Sequence, residues 1–203
     1  ARRAEPKRPA VSVTDQKAAL REGLIRARPS VGPSDQAYDF MAEAVRALMP
    51  EGGCRLAAYL PIRRELDPLP IAERLGHYPI ALPRTPQTPG PLDFRLWSPG
   101  QPLDEGRFKT REPTVDAPIL VDERILMLLP LVGFDSRCYR LGYGGGFYDR
   151  SLAQVRARGQ QVIAVGLAYD EQHRSDPLPI EATDERLHGV ITPTTVYGPG
   201  QND

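Results

Sequence analysis

The run ILMLLPLV at positions 125–132 contains no charged or polar side chain, and it constrains the fold more than any other stretch of this chain. A strand is continuously apolar when both of its faces are buried, as in the centre of a parallel sheet. Further short apolar runs lie at 55–60, 79–83 and 162–168, with helical segments between them. Strands that alternate with helices indicate parallel crossovers. We therefore predict a single α/β domain, with a three-layer, open, mostly parallel, Rossmann-like sheet and helices on both faces.

Capping residues mark where the helices begin and end. Ser12 or Thr14 would cap a first helix that runs to Arg28, and Ser34 would open a second helix that ends before Pro50. The remaining predicted elements are a helix from Asp67 to Leu75, an exposed or edge strand at 92–97, a helix at 148–158 and a last extended piece at 189–198. Most of the proline-rich segment 83–118 is predicted to be loop.

Charge and composition exclude several classes of protein. Lys plus Arg and Asp plus Glu both total 26, so the chain carries no overall charge that would attract nucleic acid or an anionic membrane. No apolar run is long enough to span a bilayer, and the first ten residues lack the apolar core of a secretory signal. Cys54 and Cys138 form no C-x-x-C pair. We expect a cytoplasmic monomer with reduced thiols, consisting of a disordered basic tail at 1–11, a domain at 12–198 and a C-terminal tail at 199–203.

Four of the five residues at 142–146, GYGGG, are glycines, and they lie between the most apolar strand and a predicted helix. Ligands of open α/β sheets bind beyond the carboxyl ends of the strands. Consecutive N–H groups in a glycine-rich turn bind anions, and the following helix adds its positive N-terminal end. A simple connection would need only one or two glycines. The loop is therefore predicted to bind a phosphate group.

Alternative chemistries find less support in the sequence. The Walker pattern is missing because the chain has no Gly-Lys pair, and neither G-x-S-x-G nor H-E-x-x-H occurs. A dinucleotide fold stays open, because Asp170 follows a strand at the position of a ribose-binding acid. However, GYGGGF is not G-x-G-x-x-G, and residues 134–141 separate the strand from the first glycine. His77, His173 and His188 are scattered along the chain.

The first predicted helix carries Lys17 and Arg21 at i and i+4, so both side chains lie on one face. Either solvent screens the two charges or they hold an anion jointly. The pair alone does not decide between these interpretations.

A specific combination emerges when distant segments are read together. The combination consists of Lys17-Ala-Ala-Leu-Arg21, Glu65 after the strand AAYL, LDFRLW…LDEGRF…EP at 92–113, GFDSRCYRLGYGGGFYDRSL at 133–152 and PIEATDERLHGVIT at 179–192. It resembles the 5-formyltetrahydrofolate cyclo-ligase family, also called methenyltetrahydrofolate synthetases. The resemblance covers nearly all of residues 17–192. It implies an enzyme that uses ATP and Mg²⁺ to convert 5-formyltetrahydrofolate into 5,10-methenyltetrahydrofolate, with release of ADP and phosphate.

The same resemblance implies roles for individual residues. The nucleotide would be bound by Lys17, Arg21, Arg140, Leu141, Gly142, Tyr143, Gly144, Gly145, Gly146, Phe147 and Tyr148. The folate would be contacted by Leu60, Glu65, Tyr143, Gly144, Gly145, Gly146 and Phe147. Magnesium would be bound by Asp149 and Asp184, and the catalytic residues would be Glu65, Arg140 and Tyr148.

Two positions depart from the family pattern. Cys138 stands where the family usually has glycine, which would be strained if the position requires a positive φ. His188 stands where the family usually has an acidic residue. Neither departure touches the residues implied as principal ligands. A non-catalytic paralogue that binds folate or nucleotide is a separate alternative to the enzyme.

Overall fold

The computed structural model describes residues 11–198. The tail predicted at 199–203, and the tail predicted at 1–11 except for Val11, lie outside the described residues. No helix within 11–198 combines the length and the apolar character needed to cross a bilayer.

The described residues form four α-helices and twelve strands. The helices are α1 (Val13–Ala27), α2 (Asp35–Leu48), α3 (Leu69–Leu75) and α4 (Phe147–Ala157). The strands are β1 (Arg55–Ala57), β2 (Ile80–Arg84), β3 (Asp93–Trp97), β4 (Leu103–Glu105), β5 (Arg111–Pro113), β6 (Arg124–Pro130), β7 (Gly133–Asp135), β8 (Arg140–Leu141), β9 (Gln161–Leu167), β10 (His173–Arg174), β11 (Gly189–Ile191) and β12 (Val196–Tyr197).

Seven strands build the central sheet in the order β12-β11-β9-β6-β1-β2-β3. The pairs β11–β9, β9–β6, β6–β1 and β1–β2 are parallel, whereas β12 and β3 are antiparallel edge strands. Numbered along the chain, the parallel strands therefore lie in the order 2-1-3-4-5. In this doubly wound order the chain reverses its direction of travel between the first and third parallel strands, here β1 and β6. A ligand crevice is expected beyond the carboxyl ends of these two strands.

Helices cover both faces of the sheet, and the alternation along β6 shows how. Leu126 and Leu128 pack on the face that carries α2 and α3. Ile125, Met127 and Leu129 pack on the opposite face, which carries α4. All five side chains are essentially inaccessible to solvent. Each buried aliphatic side chain contributes about 1.5–3 kcal/mol of transfer free energy. The predicted three-layer α/β architecture is confirmed.

The starts predicted for the first two helices are confirmed by their caps, whereas α3 begins at Leu69 with Pro68, not Asp67, as its N-cap. The Ser12 hydroxyl accepts a hydrogen bond from the Asp15 amide at 3.1 Å, and the Ser34 hydroxyl accepts one from the Ala37 amide at 3.2 Å. Thr14, the alternative cap, lies inside α1. Each cap satisfies one of the amides that the first turn of a helix leaves without a partner.

The last extended piece predicted at 189–198 is instead a hairpin of β11 and β12. The Thr192 amide donates to the Thr195 carbonyl at 2.9 Å, and the Thr195 amide donates to the Thr192 hydroxyl at 3.0 Å. The short strands β4, β5, β7, β8 and β10 were also not predicted. Segments of two or three residues are too short to display a period of two.

The turn between β7 and β8 contains Cys138, whose φ is +62° and whose side chain is fully buried. The Asp135 carboxylate accepts hydrogen bonds from the Arg137 amide at 3.0 Å and the Tyr139 amide at 3.2 Å, which fixes this turn. The left-handed conformation costs a residue with a Cβ about 1–2 kcal/mol. The strain expected at this position is therefore present.

Replacing Cys138 separates backbone strain from packing. Cys138→Gly and Cys138→Ala both remove the buried thiol, but only glycine relieves the strain. We expect the glycine variant to exceed the alanine variant by about 1 kcal/mol in the free energy of unfolding, measured with urea. Lys109 has φ +57° in an exposed turn, so the same two substitutions there measure backbone strain without buried packing. They serve as the matched control. Equal stability of the two Cys138 variants would contradict this account.

Candidate functional site

The candidate site lies beyond the carboxyl ends of β1 and β6, at the switch point of the sheet. The chain leaving β1 carries Leu60 and Glu65, and the chain leaving β6 runs through β7 and β8 into the loop 142–146. Helix α1 packs beside the second of these segments, because Leu24 lies in one apolar cluster with Leu141, and Arg28 at its end donates to the Arg63 carbonyl in the first. Three separate segments thus converge on one edge of the sheet.

The glycine loop ends at Gly146, which caps α4 with φ +64° and has no side chain that could occupy the helix terminus. Gly144 has φ +99°, a conformation that is strained for any residue with a side chain. Residues 143–145 are exposed. The loop thus presents main-chain amides to solvent at the positive end of an eleven-residue helix, which is the arrangement predicted for binding an anion.

Arg21 contacts this loop directly. Its Nε donates to the Gly142 carbonyl at 2.8 Å. A methyl group on Gly144 would lie 3.3 Å from Arg21 Nη2, so glycine allows the guanidinium to approach the backbone closely. The structure therefore places this predicted phosphate-binding residue at the loop.

Lys17 is buried one turn earlier on the same face of α1. Its Nζ donates to Glu181 Oε2 at 2.8 Å and to Asp184 Oδ2 at 2.5 Å. Burial by itself lowers the pKa of Lys17, but the hydrogen bonds and charges of Asp184 and Glu181 outweigh it and raise the pKa. The ammonium group therefore stays charged, with one of its three N–H groups left for a further acceptor.

Arg140 and Asp149 form the next ion pair along the site. Arg140 Nη2 donates to Asp149 Oδ1 at 2.7 Å, and the Glu185 amide lies 3.3 Å from the same oxygen. Asp149 occupies the first turn of α4, where a carboxylate complements the helix dipole. Among the described residues, the buried Arg140 Nε has no hydrogen-bond partner.

The two predicted magnesium ligands do not form a ready-made metal cage. Within residues 11–198, no group of three or more His, Cys, Asp or Glu side chains is arranged to hold a metal ion. Asp149 accepts from Arg140, and Asp184 accepts from Lys17. Mg²⁺ is often bound by only one or two carboxylates together with substrate phosphates. Single carboxylates beside the glycine loop, which is predicted to bind phosphate, fit that mode of binding.

Glu65 lies close to Tyr143 of the glycine loop and is almost fully buried. Its Oε2 accepts from the Ile62 amide at 3.0 Å, while Oε1 has no hydrogen-bond partner among the described residues. Burial raises the pKa of Glu65. Four groups lower it, in decreasing order the Ile62 amide, Arg28, Tyr143 and Arg63. Leu60, half-buried, packs against the apolar core nearby. A buried carboxylate oxygen without a donor suits a ligand that carries N–H groups.

Three aromatic residues belong to the site: Tyr143 of the glycine loop, and Phe147 and Tyr148 of α4. Burial, and next the charge of Glu65, raise the pKa of the Tyr148 hydroxyl well above its usual value, so this group stays protonated. Arg140 Cζ lies 5.8 Å from the centre of the Tyr148 ring. Tyr143 is partly exposed, and Phe147 packs edge-on against Phe108 with ring centres 6.2 Å apart. Phe147 and Tyr148 are both half-buried, and both also contact the core.

Sequence reasoning missed three neighbours of the site. Arg28 is fully buried and donates to the Tyr143 hydroxyl at 2.8 Å, Glu181 binds Lys17, and Phe108 covers Phe147. Arg28 follows Lys17 and Arg21 at i+11 and i+7, which places all three on one helix face. That spacing was the available signal, but at the end of a helix before a proline an arginine is usually exposed.

His188 and Asp170, which were also singled out from the sequence, make hydrogen bonds within the fold. His188 Nδ1 accepts from the Ala164 amide at 3.0 Å, and burial, followed by the charge of Arg156, lowers its pKa. The neutral His188 side chain therefore links the residue before β11 to β9. Asp170 Oδ1 accepts from the hydroxyls of Thr192 and Thr194 at 2.6 and 2.7 Å.

Comparison with known sequences gives a consistent result. The model of the 5-formyltetrahydrofolate cyclo-ligase family matches residues 13–193. The 5-formyltetrahydrofolate cyclo-ligase of Escherichia coli K12 is 37% identical over 147 residues, which cover 70% of this chain and 79% of that protein. The enzyme of the same name from Mycolicibacterium smegmatis is 31% identical over 190 residues, covering 87% and 93%.

Solved structures agree with the sequence comparison. The NMR structure of Aquifex aeolicus 5,10-methenyltetrahydrofolate synthetase superimposes with a TM-score of 0.65 at 27% identity, covering 92% of this chain and 94% of that one. A 5,10-methenyltetrahydrofolate synthetase from Mycoplasma pneumoniae shares the fold, with a TM-score of 0.60 at 23% identity and coverage of 86% and 97%. This chain belongs to the 5-formyltetrahydrofolate cyclo-ligase family.

Proposed function

We propose that the protein is a 5-formyltetrahydrofolate cyclo-ligase, which consumes ATP to form 5,10-methenyltetrahydrofolate and releases ADP and phosphate. One observation carries this proposal beyond family membership. Arg21 contacts the glycine loop one helical turn from Lys17, and the buried carboxylate of Glu65 lies beside Tyr143 of the same loop. A triphosphate and an N–H-rich ring can therefore bind next to each other.

The chemistry of the substrates explains why both sites are needed. The formyl group on N5 is amide-like, so its carbon is a poor electrophile and its oxygen a poor leaving group. Transfer of the γ-phosphoryl group to that oxygen corrects both. N10 then attacks the carbon and loses its proton, and the oxygen departs as phosphate. Phosphoryl transfer needs positioning and charge neutralisation more than a protein nucleophile.

We assign nucleotide binding to the loop and the cations around it. The third N–H of Lys17, the terminal nitrogens of Arg21 and the main-chain amides of 142–146 would donate to phosphate oxygens. The flanking residues Arg140, Leu141, Phe147 and Tyr148 would line the nucleotide. The support is that Arg140 and Leu141 form β8 directly before the loop, and Phe147 and Tyr148 begin α4 directly after it.

Asp149 and Asp184 would hold Mg²⁺, which neutralises phosphate charge when it is bound. The support is that these carboxylates belong to adjoining ion pairs: Asp149 contacts the Glu185 amide, next to Asp184. Each carboxylate has an oxygen that accepts no hydrogen bond from the described residues. Each could bind the metal without breaking its present ion pair.

Folate binding is assigned to Leu60, Glu65 and the loop residues 143–147. The free Glu65 Oε1 would accept from ring N–H groups of the pterin. Arg140 and Tyr148 would act beside the reacting groups. The Arg140 guanidinium, with its unpartnered Nε, can stabilise charge that develops on the phosphoryl group, and the protonated Tyr148 hydroxyl can donate a hydrogen bond.

We further propose that the enzyme works as a cytoplasmic monomer that binds neither nucleic acid nor membranes. The equal numbers of acidic and basic residues support this proposal. Light scattering of the purified protein tests the oligomeric state.

The decisive experiment is a coupled assay with MgATP and 5-formyltetrahydrofolate. We expect the near-ultraviolet absorbance of the methenyl product to rise, with one ADP formed per product. Leaving out ATP or Mg²⁺ should abolish the rise. Folate binding by calorimetry without turnover would instead favour a non-catalytic paralogue. Binding of NAD(P) together with the absence of folate binding would favour a dinucleotide enzyme.

Substitutions should separate the two substrates. Lys17→Ala or Arg21→Ala removes donors to the phosphates and is expected to raise KM for ATP about ten- to a hundredfold, with KM for folate changed less than about threefold. Arg26→Ala, on the exposed face of the same helix, is the control and should leave both unchanged.

Asp149→Ala should lower kcat on the order of a hundredfold, and added Mg²⁺ should restore only part of it. The carboxylate also fixes Arg140, so its loss disturbs more than the metal. Magnesium titrations of kcat for the wild type and the variant measure this effect. Equal rises in both KM values, in this variant and in those of Lys17 and Arg21, would contradict the proposed division of the site.

A further inference from the structure

We infer that Arg28 is a positioning residue for the folate pocket, one that keeps the Glu65 carboxylate charged and holds Tyr143 of the glycine loop in place beside it. This inference rests on the proposed function. It assigns a role to a side chain that lies behind the pocket and needs no contact with either substrate.

The burial of Arg28 is unusual for its position. It directly follows α1 and precedes Pro29, yet its side chain is completely inaccessible to solvent. A buried guanidinium is costly unless its N–H groups have partners. A residue that served only to end the helix would remain in water.

The contacts of Arg28 join the three segments that form the site. Nη1 donates to the Arg63 carbonyl and to the Tyr143 hydroxyl, both at 2.8 Å, and Nη2 donates to the Leu131 carbonyl at 3.0 Å. These groups belong to the loop after β1, the glycine loop and the chain leaving β6, respectively. The planar, rigid guanidinium can hold three such acceptors at fixed angles, which an ammonium group cannot do.

The relation between Arg28 and Glu65 differs from an ordinary ion pair. Arg28 Nη2 lies 3.9 Å from Glu65 Oε1, too far for a hydrogen bond, and both side chains are almost fully buried. Glu65 Oε1 and Arg28 Nε have no hydrogen-bond partner among the described residues. The guanidinium thus stabilises the negative charge while it leaves the oxygen free for a ligand. A purely structural pair would close this gap.

The surroundings of Glu65 show why that charge needs support. Burial raises the pKa of this carboxyl, and after the Ile62 amide, Arg28 is the strongest influence that opposes it. The titratable groups that face Glu65 from the packed elements are Arg28 after α1, Tyr59 after β1, Arg63 in its own loop, Tyr143 in the glycine loop and Tyr148 on α4. The tyrosines carry no charge at neutral pH, although the Tyr143 hydroxyl also lowers the pKa of Glu65, less than Arg28 does, and Arg63 is exposed to screening by solvent. Arg28 is therefore the main buried cation beside Glu65.

The sign of the pH dependence follows from these observations. Only the ionised carboxylate accepts two N–H donors, so folate affinity is complete above the Glu65 pKa and is lost as the pH falls through it. Without the Arg28 charge, no buried cation opposes the effect of burial, and the pKa of Glu65 rises further. The loss of affinity then begins at a higher pH.

Calorimetric binding of 5-formyltetrahydrofolate without ATP, measured across pH, tests the inference. At neutral pH, Arg28→Met should weaken folate binding about ten- to a hundredfold, whereas ATP binding changes less than about threefold. The pH at which Arg28→Met loses half of its folate affinity, its acid midpoint, should be higher than in the wild type. Arg28→Lys keeps the charge but not the fork, so it should weaken folate binding at least about fivefold and keep the wild-type midpoint. Arg26→Met, on the exposed face of α1, is the matched control and should behave as wild type.

Several results would overturn the inference. They are an unchanged folate affinity in Arg28→Met, an equal loss of affinity for both substrates, or the same acid midpoint in Arg28→Met as in the wild type. If Arg28→Met does not fold, Arg28→Lys decides: unchanged folate affinity overturns the inference, and weaker binding at an unchanged midpoint supports it.

A direct titration of Glu65 separates this inference from the proposed function. If the wild-type protein binds no folate, the proposed function fails. The ¹³C NMR signal of the Glu65 carboxyl still reports its pKa in the unliganded protein. A higher midpoint in Arg28→Met than in the wild type or in Arg28→Lys supports the electrostatic role, and an unchanged midpoint overturns it.

Discussion

The site depends on three cations along one face of α1 and at its end, of which two are buried and one is half-buried. Lys17, Arg21 and Arg28 face inward, and the interior tolerates such charges only where partners receive them. Two acidic side chains bind the first, a glycine carbonyl binds the second, and two carbonyls with a phenol bind the third. None of these partners belongs to α1. A single helix therefore sets the positions of the turn at 181–184, the glycine loop and the loop after β1.

The order of the strands explains why these segments meet. Between β1 and β6 the chain reverses its direction of travel across the sheet, so the loops leaving these two strands diverge and leave a crevice. The loop of Glu65 fills one side, and the glycine loop with the start of α4 fills the other. The fold thus provides adjacent positions for two substrates without a second domain, and α1 closes the crevice along its edge.

The sequence was informative where the signal is local or periodic. The apolar β6, the alternation of strands with helices and the caps at Ser12 and Ser34 could all be predicted, because each depends on neighbours only a few residues away. The strain at Cys138 was anticipated from a family pattern. The hairpin at the end of the chain was not, because a turn held by threonine hydroxyls has no strong signature.

Long-range pairings could not be predicted in the same way. Lys17 and Asp184 are 167 positions apart, and nothing in either segment specifies the other. The depth of Arg28 likewise follows from how three loops pack, not from its own neighbours in the chain. For Glu65, only the family resemblance indicated its importance, and the structure adds that one of its oxygens has no donor within residues 11–198.

The ion pairs around the glycine loop have a consequence for how the nucleotide arrives. Lys17, Arg21 and Arg140 are accompanied by Glu181, Asp184 and Asp149, so these six groups sum to zero. Arg150, which donates to the Gly145 carbonyl, adds one positive charge at the loop, far less than the negative charge that a fully ionised triphosphate would bring. A triphosphate already complexed to a divalent ion brings most of its own counter-charge. Under the proposed function, the electrostatics of the unliganded protein therefore favour the metal–nucleotide complex over the bare anion as the species that binds.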